Sequence, residues 1–504
     1  MTNRSFIDSR TFDGFRRAVA GTFDEIVVVD LGGDVRANPR LSGTKHNVFG
    51  IQTGVAISFM VKRARKNRKA KPPARIRYAR RPEEETAEEK LAFLAATPAD
   101  RMRYSTITPS KNGYWINQVI NEWDSLLPLG SKNTKRKSNR NRYDAIFKTF
   151  SLGIASNRDD WAYSRSVADA RLKSQYFADN YNAGSFSEGN DYAHIKWSSE
   201  LIERFNSGET FDNPQALIAS INFRPFVQKV VNYDDIIVHR HYALRDVFPV
   251  PNQTGNRAIC TYGVSSNHPL STLASNRPVD LGYLKQGNGG TFAFARYRYN
   301  DEGDRIDNIT DWALRKFRER YGKVATKDGI FAYCYAVLHD PDYRETYAIN
   351  LKRELPRVPF YADFARWRDW GQTLLDLHVG YEEVAPYPLE RIDAPNPNRA
   401  EGTSPRVILN SDRDTGTITL DADTQLTGVP DAAWDYMLGN RTAIDWVLDQ
   451  HKEKKIRDET VRRLFDTYRF ANHKEGVIEL LRRVTSVSVR TVAIIKEMDT
   501  VGKR

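Results

Sequence analysis

Apolar and polar positions alternate along residues 221–250, which predicts β-structure in this stretch. The sequence INFRPFVQKVVNYDDIIVHRHYALRDVFPV mixes cations with aromatic and β-branched residues, so the pattern would place charges and rings on one pleated face. A face of this kind suits the phosphates and bases of nucleic acid. The plain alternative is a basic edge strand whose charges prevent aggregation. The candidate nucleic-acid-binding residues here are Arg224, Lys229, His239, Arg240 and Arg245.

The first sixty residues predict part of an α/β sheet. A short helix would carry Phe12, Phe15 and Val19 on one face, and the nearly continuous apolar run 26–31 is typical of a strand covered on both faces. A second strand is predicted at 55–61. Two strands and one helix cannot bury a central strand of that kind. We therefore expect another polypeptide, or an upstream part of a longer enzyme, to contribute the rest of the sheet.

Two basic segments interrupt the apolar pattern. Residues 62–81 hold eleven Lys and Arg and no acidic residue, a composition typical of a solvated connector and equally suited to a strap that follows DNA phosphates. The second segment, 132–142, mixes basic residues with Asn and Ser, which favours a loop that becomes ordered on DNA. Its candidate DNA-binding residues are Lys135, Arg136, Lys137 and Arg140.

Polar loops beyond residue 250 offer side chains that can read base edges. Arg and Asn form paired hydrogen bonds with guanine and adenine, and both residue types recur in the turns of this region. Exposed polar loops also occur in basic proteins without any such role. We predict that these loops form the recognition surface, through Asn256, Arg257, Asn276, Arg277, Lys285, Arg296 and Arg298.

Composition narrows the class of partner. The chain has 504 residues, a net charge of +12 and a sequence pI near 9.4, which favour an anionic partner such as nucleic acid. A hydrophobic content of 40% predicts folded domains. No apolar run reaches the ~18 residues that a spanning helix needs, and two cysteines are too few for a disulfide framework or a Cys-rich zinc site. We expect a soluble, cytoplasmic protein without membrane association or bound metal.

Longer signatures in a fixed order give the chain a family resemblance. These are the tripeptide 224–226 (RPF), 150–159 (FSLGIASNRD), 331–359, 371–378 (GQTLLDLH) and 436–449 (YMLGNRTAIDWVLD). They resemble the signatures of the C-terminal specificity region of type ISP (single-polypeptide type I) restriction–modification enzymes. Each motif alone is a weak signal, whereas the ordered set covers most of the chain. The resemblance implies a large mixed α+β domain at 126–504 that recognises double-stranded DNA.

The N-terminal residues resemble the end of an N6-adenine methyltransferase domain of the same family. The matching segments are 3–8 (NRSFID), 30–34 (DLGGD) and 47–57 (NVFGIQTGVAI). The resemblance implies an α/β remnant of a methyltransferase-type sheet at 1–62, followed by a basic linker with connecting helices at 63–125. It also implies that Phe49 stacks on an adenine flipped out of the duplex, which offsets part of the cost of extrusion. The alternative for Phe49 is a buried hairpin anchor.

The motifs that carry methyl transfer are absent from the 504 residues. There is no Gly-rich loop after a first strand, no Asn- or Asp-Pro-Pro-aromatic tetrapeptide and no GxxxxGK[ST] phosphate loop. We therefore expect no cofactor and no catalytic residue in this chain, and no methylation by the chain alone. By the resemblance, S-adenosylmethionine belongs to the complete enzyme, and the expected protein partner is an upstream methyltransferase, helicase or nuclease polypeptide.

Two functions from other classes stay open. A stand-alone nucleic-acid-binding protein would have a self-contained N-terminal fold, with no apolar surface left open by residues 27–31. A nuclease would need acidic residues and a lysine around a Mg²⁺ ion. Asp30 and Asp34 flank the end of a predicted strand, but no E-x-K pattern follows them. The stand-alone binder is therefore the main competitor of the specificity-module interpretation.

Overall fold

Two compact units, 1–121 and 122–504, make up the chain. Both units mix helices and strands. No helix in the part of the chain that the structure describes is long and apolar enough to span a bilayer. The computed structural model describes residues 1–34, 43–64, 72–110, 113–118, 121–131, 144–184, 195–249, 255–266, 268–284 and 287–501.

A five-stranded sheet forms the first unit. Its elements are β1 (Thr2–Asn3), α1 (Ser5–Asp8), α2 (Asp13–Thr22), β2 (Glu25–Gly32), β3 (Val55–Val61), β4 (Arg75–Arg80), α3 (Ala87–Ala96) and β5 (Ser105–Ile107). The strands follow the order β1-β3-β2-β4-β5. Because β2 pairs antiparallel with β3 and parallel with β4, it lies at the centre of the sheet.

Strand β4 corrects the expectation that the sheet is incomplete. It lies inside the basic run 62–81, where Ile76 is fully buried and Arg77 pairs with Glu25 at 2.8 Å. Arginine stems can cover apolar surface while their charged ends stay in water, so a strand rich in arginine is stable at this position. Every residue of β2 after its first is buried. The segment 63–125, which we predicted to be a basic linker with connecting helices, contains β4, α3 and β5.

Helix α2 buries a different face from the predicted one. Val19 is buried as expected, but Phe12 and Phe15 are 38% and 43% exposed. The inward position is taken by Arg16, whose guanidinium donates to three backbone carbonyl oxygens. A buried charge is tolerated where hydrogen bonds satisfy it, so Arg16 lies on the buried face beside Val19, and the two phenylalanines do not.

The second unit holds most of the helices and strands. Its strands are β6 (Leu127–Pro128), β7 (Ser151–Leu152), β8 (Tyr163–Ser164), β9 (Ile218–Arg224), β10 (Val227–Asn232), β11 (Ala258–Tyr262), β12 (Ser271–Ser275), β13 (Phe292–Ala295), β14 (Tyr297–Tyr299), β15 (Arg305–Asp307), β16 (Arg357–Val358), β17 (Glu390–Asp393), β18 (Val407–Asp412), β19 (Thr417–Asp421), β20 (Thr424–Thr427), β21 (Met437–Leu438) and β22 (Arg441–Thr442). Its helices are α4 (Asp159–Ala162), α5 (Val167–Asn182), α6 (Ser199–Asn206), α7 (Asp311–Tyr321), α8 (Lys327–Val337), α9 (Pro341–Thr346), α10 (Ala348–Arg353), α11 (Phe364–Val379), α12 (Asp431–Asp435), α13 (Ala443–His451), α14 (Glu459–Phe465) and α15 (Lys474–Asp499).

Small sheets, and not one large sheet, organise the second unit. Their strand orders are β8-β10-β9, β12-β11-β13-β7 and β17-β20-β19-β18, with two-stranded pairs β14-β15, β16-β6 and β21-β22. Two of these sheets pair strands that are far apart in the sequence: β7 pairs with β13, and β6 pairs with β16. The unit therefore has the mixed helix-and-strand character that the sequence predicted.

The basic stretch 221–250 is β-structure only in its first part. β9 and β10 form an antiparallel hairpin, with Phe226 at its turn in the left-handed conformation (φ 58°). The side chains of Asn232 and Asp234 then accept hydrogen bonds from backbone N–H groups two residues on, which favours turns over a continued strand. The predicted strand face is therefore absent from His239, Arg240 and Arg245.

Helices α8 and α11 pack closely in the interior of the second unit. All residues of α8 from Gly329 to Val337 are buried. Gly371 of α11 permits the approach, because a Cβ atom at this position would lie 1.8 Å from the carbonyl oxygen of Ala332. This contact places residues of the 331–359 and 371–378 signatures against each other.

The histidines of these two signatures belong to the core. His339 and His378 are 1% and 2% exposed. His378 shares a hydrogen bond of 2.6 Å with the Tyr335 hydroxyl through Nδ1, and one of 2.8 Å with the Thr491 hydroxyl through Nε2. The prediction that they are core histidines and not metal ligands is consistent with these contacts.

Candidate nucleic-acid interface

Two of the predicted cations are bonded inside the second unit. Arg224 donates to Asp280 Oδ1 at 2.6 Å. Arg245 donates to Asp235 Oδ2 at 2.8 Å and to the carbonyl oxygen of Tyr233 at 2.9 Å. These bonds give both arginines a structural role, and a paired arginine offers less charge to a phosphate than an unpaired one.

Lys229 lies over aromatic rings and not on an open strand face. Its Nζ atom is 3.8 Å from the centroid of the Phe223 ring and 6.0 Å from that of the Tyr163 ring. Burial, together with the nearby charges of Arg165 and Arg224, lowers the pKa of Lys229 to about 7. Lys229 is therefore only partly protonated at neutral pH, which weakens it as a phosphate contact.

A cavity of about 180 Å³ adjoins the turn that carries His239 and Arg240. Arg240, the residue after His239, has an exposed side chain. The sequence singled out His239 but missed Lys196, Ser198 and Ser199, although two serines before an apolar helical pattern are a helix-start signal. The lining residues are Asn157, Arg158, Lys196, Ser198, Ser199, Glu200 and His239.

Asn256 and Arg296 have internal roles, which corrects their prediction as DNA-binding residues. Asn256 is 2% exposed, and its amide makes four hydrogen bonds with backbone groups. Arg296 is 7% exposed and donates to Asp307 and to Asp328, each at 2.6 Å. The Asn256 amide therefore has no donor or acceptor left for a base edge, and the Arg296 charge is already paired with two carboxylates.

Three predicted residues lie at the end of the sheet where β11 begins and β12 ends. Arg257 pairs with Asp376 at 2.6 Å, and both side chains are exposed. Arg277 is 3.6 Å from Glu382. Asn276 is half-buried. Exposed ion pairs contribute little to stability, so both arginines can exchange these carboxylates for phosphates.

At the opposite end of the same sheet, the β11–β12 connection and the loop before β13 lie close together, and both belong to the predicted recognition region. The Tyr262 hydroxyl at the end of β11 donates to the carbonyl oxygen of Asn288 at 2.6 Å. Ser265 in the β11–β12 connection has a φ of 65° and donates its N–H to the carbonyl oxygen of Lys352. Burial and the charge of Lys352 lower the pKa of His268. Lys352 is a cation of this surface that the sequence did not single out.

Three cations around the β14–β15 pair are called the basic patch: Arg305 lies on the Tyr297 face of the pair, Arg298 lies on the other face, and Lys148 lies near Arg298. Arg305 is exposed, with its guanidinium 4.4 Å from the centroid of the Tyr297 ring. Arg298 Nε is buried without a hydrogen-bond partner among the described atoms. Burial, with the charges of Lys327 and Arg298, lowers the pKa of Lys148. Of the three residues, only Arg298 was predicted.

Phe49 lies in the first unit, on a loop that one side chain holds in shape. Asn47 donates to the carbonyl oxygens of Gly33 and Thr53 and accepts from the N–H groups of Phe49 and Ile51. Phe49 is 58% exposed. Its ring is therefore presented to solvent, which excludes the buried hairpin anchor.

The acidic residue that a nuclease would need is already bonded. Asp30 is 0% exposed and accepts hydrogen bonds from Arg4 and from the Tyr78 hydroxyl. No cluster of His, Cys, Asp and Glu that could hold a metal ion occurs among the described residues. The Asp30 carboxylate at the end of β2 therefore has a structural role.

Comparison with known proteins assigns the second unit to a family. A family model described as the type ISP C-terminal specificity domain matches residues 145–480, which is more than half of the chain. The chain belongs to this family. The type ISP specificity domain thus contains the cavity, both ends of the β12-β11-β13-β7 sheet and the basic patch.

Solved structures share the fold of the whole chain. One, titled as a cryoEM structure of a DrdV–DNA complex, is 38% identical with a TM-score of 0.86, and the match covers 99% of this chain and 50% of that one. The type ISP enzymes LlaBIII, bound to DNA, and LlaGI, in complex with a DNA substrate mimic, have TM-scores of 0.79 and 0.76 at 23% and 24% identity. These matches cover the whole chain and 32% and 46% of the LlaBIII and LlaGI chains. The chain spans about half the length of the DrdV chain, and no curated protein matches it.

One predicted residue that the structure describes lies outside the specificity domain, and five others are not described by the structure. Phe49 precedes the matched range 145–480. The remaining predicted residues lie outside the part of the chain that the structure describes, and they are Lys135, Arg136, Lys137, Arg140 and Lys285.

Proposed function

We propose that the chain is the DNA sequence-recognition module of a type ISP restriction–modification system. The observation that carries the proposal is the specificity-domain match over residues 145–480, together with 38% identity to the DrdV chain of a DNA complex over nearly the whole length. Its partner is double-stranded DNA. The basic patch, Arg240 and the polar loops at the two ends of the sheet support this role because they present cations and amides at the surface.

The first unit, in this proposal, is the end of an N6-adenine methyltransferase domain. Its support is the resemblance of 3–8, 30–34 and 47–57, and the exposed Phe49 ring on a loop that Asn47 holds. Phe49 would stack on the flipped adenine. The Gly-rich loop and the Asn- or Asp-Pro-Pro-aromatic tetrapeptide do not occur in the 504 residues, so S-adenosylmethionine would bind the part of the complete enzyme that this chain lacks.

The protein partner would be a polypeptide that carries the rest of the methyltransferase domain. The first unit exposes several large apolar side chains, which a partner would cover. The chain also covers only half of the DrdV chain. The exposed side chains are Phe12, Phe15, Phe49, Ile51, Phe59, Val61 and Leu91.

Co-expression tests this partner directly. A polypeptide corresponding to the half of the DrdV chain that this chain does not cover should copurify with it and raise its soluble yield. Phe59→Ser, at an exposed position of β3, should weaken the complex, whereas Leu217→Ser, an exposed leucine of the second unit, should not. No copurification with any upstream methyltransferase fragment would contradict the split-enzyme proposal.

A stand-alone nucleic-acid-binding protein is the second candidate. One observation favours it: β2 is buried and paired on both edges, so the N-terminal sheet is self-contained around this strand. This is what the stand-alone function predicts. The absence of a protein partner, with sequence-specific DNA binding retained, would decide for this candidate.

Selection from a random duplex pool is the experiment that tests DNA recognition. The purified chain is incubated with the pool at two salt concentrations, and bound DNA is sequenced. Enrichment of one asymmetric motif that persists at the higher salt would establish base recognition. Binding that is lost with salt and enriches no motif would reduce the interaction to phosphate contacts and contradict the proposal.

A further inference from the structure

We propose that the cavity beside His239 binds a single phosphate group. The inference deepens the proposed function, on which its DNA source rests, because it names residues that would hold a backbone phosphate of the recognised duplex. A free phosphate ion has the same chemistry, and the experiment at the end of this subsection separates the two sources.

The lining of the cavity carries more positive than negative charge. Arg158 and Lys196 are cations, and Glu200 is the one carboxylate of the seven lining residues. Glu200 is already shared, because Oε2 contacts His239 Nδ1 and lies 4.0 Å from Arg158, while Oε1 lies 3.5 Å from Arg204. The negative charge of Glu200 is therefore already balanced by neighbouring arginines. The ammonium group of Lys196 is exposed and can contact a phosphate that enters the cavity.

The hydrogen bonds of Arg158 go to neutral groups, and its carboxylate neighbour Glu200, at 4.0 Å, is shared with His239 and Arg204. The residue is 7% exposed and donates to the carbonyl oxygens of Ile236 and Ile237 and, at 3.0 Å, to the Ser198 hydroxyl. All three acceptors are neutral. Burial lowers the pKa of Arg158 to about 10, which means that the surroundings stabilise its charge less than water does. A bound anion would add to the stabilisation that Glu200 gives this guanidinium.

Neutral donors complete the site. Ser198 is the N-cap of α6, where its hydroxyl accepts from the N–H of Leu201 at 3.3 Å. The Ser199 hydroxyl and the first N–H groups of α6 belong to the same helix end, which carries a partial positive charge. Guanidinium, ammonium, hydroxyl and backbone N–H groups are the donors that phosphate oxygens accept from. A water molecule occupies about 30 Å³, so a cavity of about 180 Å³ holds more than one water.

Two variants at the cavity and one matched control test the proposal in the full chain. Lys196→Gln removes one charge from the lining, and Ser199→Ala removes a donor without a change of charge. Lys496→Gln, at an exposed position of α15, removes the same charge far from the cavity in the sequence. Circular dichroism first establishes that all three variants are folded. The probes are inorganic phosphate, compared with chloride at equal ionic strength by thermal unfolding, and a duplex bound at several salt concentrations.

If the cavity binds phosphate, phosphate should raise Tm of the wild type and of Lys496→Gln. This increase should be absent in Lys196→Gln and smaller in Ser199→Ala. With DNA, the slope of log K against log salt should be smaller by about 0.9 in Lys196→Gln than in Lys496→Gln. A phosphate effect with equal slopes would support the site and assign it to free phosphate. Equal behaviour of the two lysine variants with both probes would overturn the proposal. If the wild type binds no DNA, the proposed function fails, while the phosphate measurement still decides the cavity.

Discussion

Asn256 and Asn276 occupy similar polar turns in the sequence, but the structure uses them differently. Asn256 is 2% exposed, and two of its four hydrogen bonds reach the backbone of Tyr297, 41 residues further along the chain. Asn276 is half-buried at the end of β12. The partner of Asn256 comes from a distant strand, so no local pattern distinguishes the two. For this reason the sequence could predict which loops are polar, but not which of their residues are free for DNA.

This difference predicts opposite effects of two alanine substitutions. Asn256→Ala should lower the free energy of unfolding by about 1–3 kcal/mol, because it leaves buried backbone groups unpaired. Asn276→Ala should change it by less than about 0.5 kcal/mol. Urea denaturation followed by circular dichroism measures both. Equal losses in the two variants would contradict the internal role of Asn256.

Among the cations predicted in the stretch 221–250, Arg240 has an exposed side chain. Arg240→Gln should weaken duplex binding to all sequences alike and reduce the salt slope by about 0.9, because a phosphate contact carries no sequence information. Fluorescence anisotropy with a specific and a scrambled duplex gives both quantities. Arg490→Gln, at an exposed position of α15, is the control. A loss confined to the specific duplex would instead indicate base recognition by Arg240.

At the scale of elements, the sequence predicted apolar and alternating segments well and basic strands poorly. Strands β9 and β10 cover the first part of the stretch where alternation predicted β-structure. Strand β4 was missed because three of its six residues are arginines, in a run whose composition is typical of a linker. What makes this segment a strand is its pairing with β2 on one edge and β5 on the other. The physical cause lies in the sheet and not in the segment itself.

The close contact of α8 and α11 gives a sharp prediction about glycine. Gly371→Ala would place a Cβ atom 1.8 Å from the Ala332 carbonyl oxygen, so the helices must separate. We expect a loss of about 3 kcal/mol or more, as overpacked cores show at the upper end of their range. Gly476→Ala, in α15 with nothing within 4 Å, should instead stabilise the chain by about 0.5–1 kcal/mol.

Urea unfolding of the two glycine variants measures this contrast. The same substitution is made in a helix in both cases, so helix propensity alone predicts a gain at each position. A gain at Gly371 would show that α8 and α11 are further apart than described.

At the scale of the whole molecule, buried histidines link folding to pH. Burial lowers the pKa of His378 to about 3 and that of His451 to about 4, and places the pKa of His339 well below its ordinary value. In the unfolded chain these imidazoles titrate near 6.5. Below that pH the unfolded chain therefore takes up protons that the folded chain cannot. Stability from this source is complete above pH 6.5 and is lost as the pH falls below it.

The free energy of unfolding should accordingly fall between pH 7.5 and pH 5.0, by up to about 2 kcal/mol for each of these histidines. His378→Gln removes one titrating group, so the fall should be smaller in the variant even if its stability at pH 7.5 is lower. Urea titrations at several pH values give the two slopes. An identical slope in wild type and variant would contradict the neutral, buried state of His378.

The pairing of β6 with β16 has a consequence for synthesis on the ribosome. Leu127 and Val358 are neighbours in this sheet, so the first strand of the second unit waits for more than two hundred residues before its partner is made. At roughly 5–20 residues per second, that delay is on the order of 10–50 s. During this time β7 also waits for β13. Folding of the recognition module is thus a late event, which exposes the nascent chain to chaperones and proteases until the segment around Val358 has emerged.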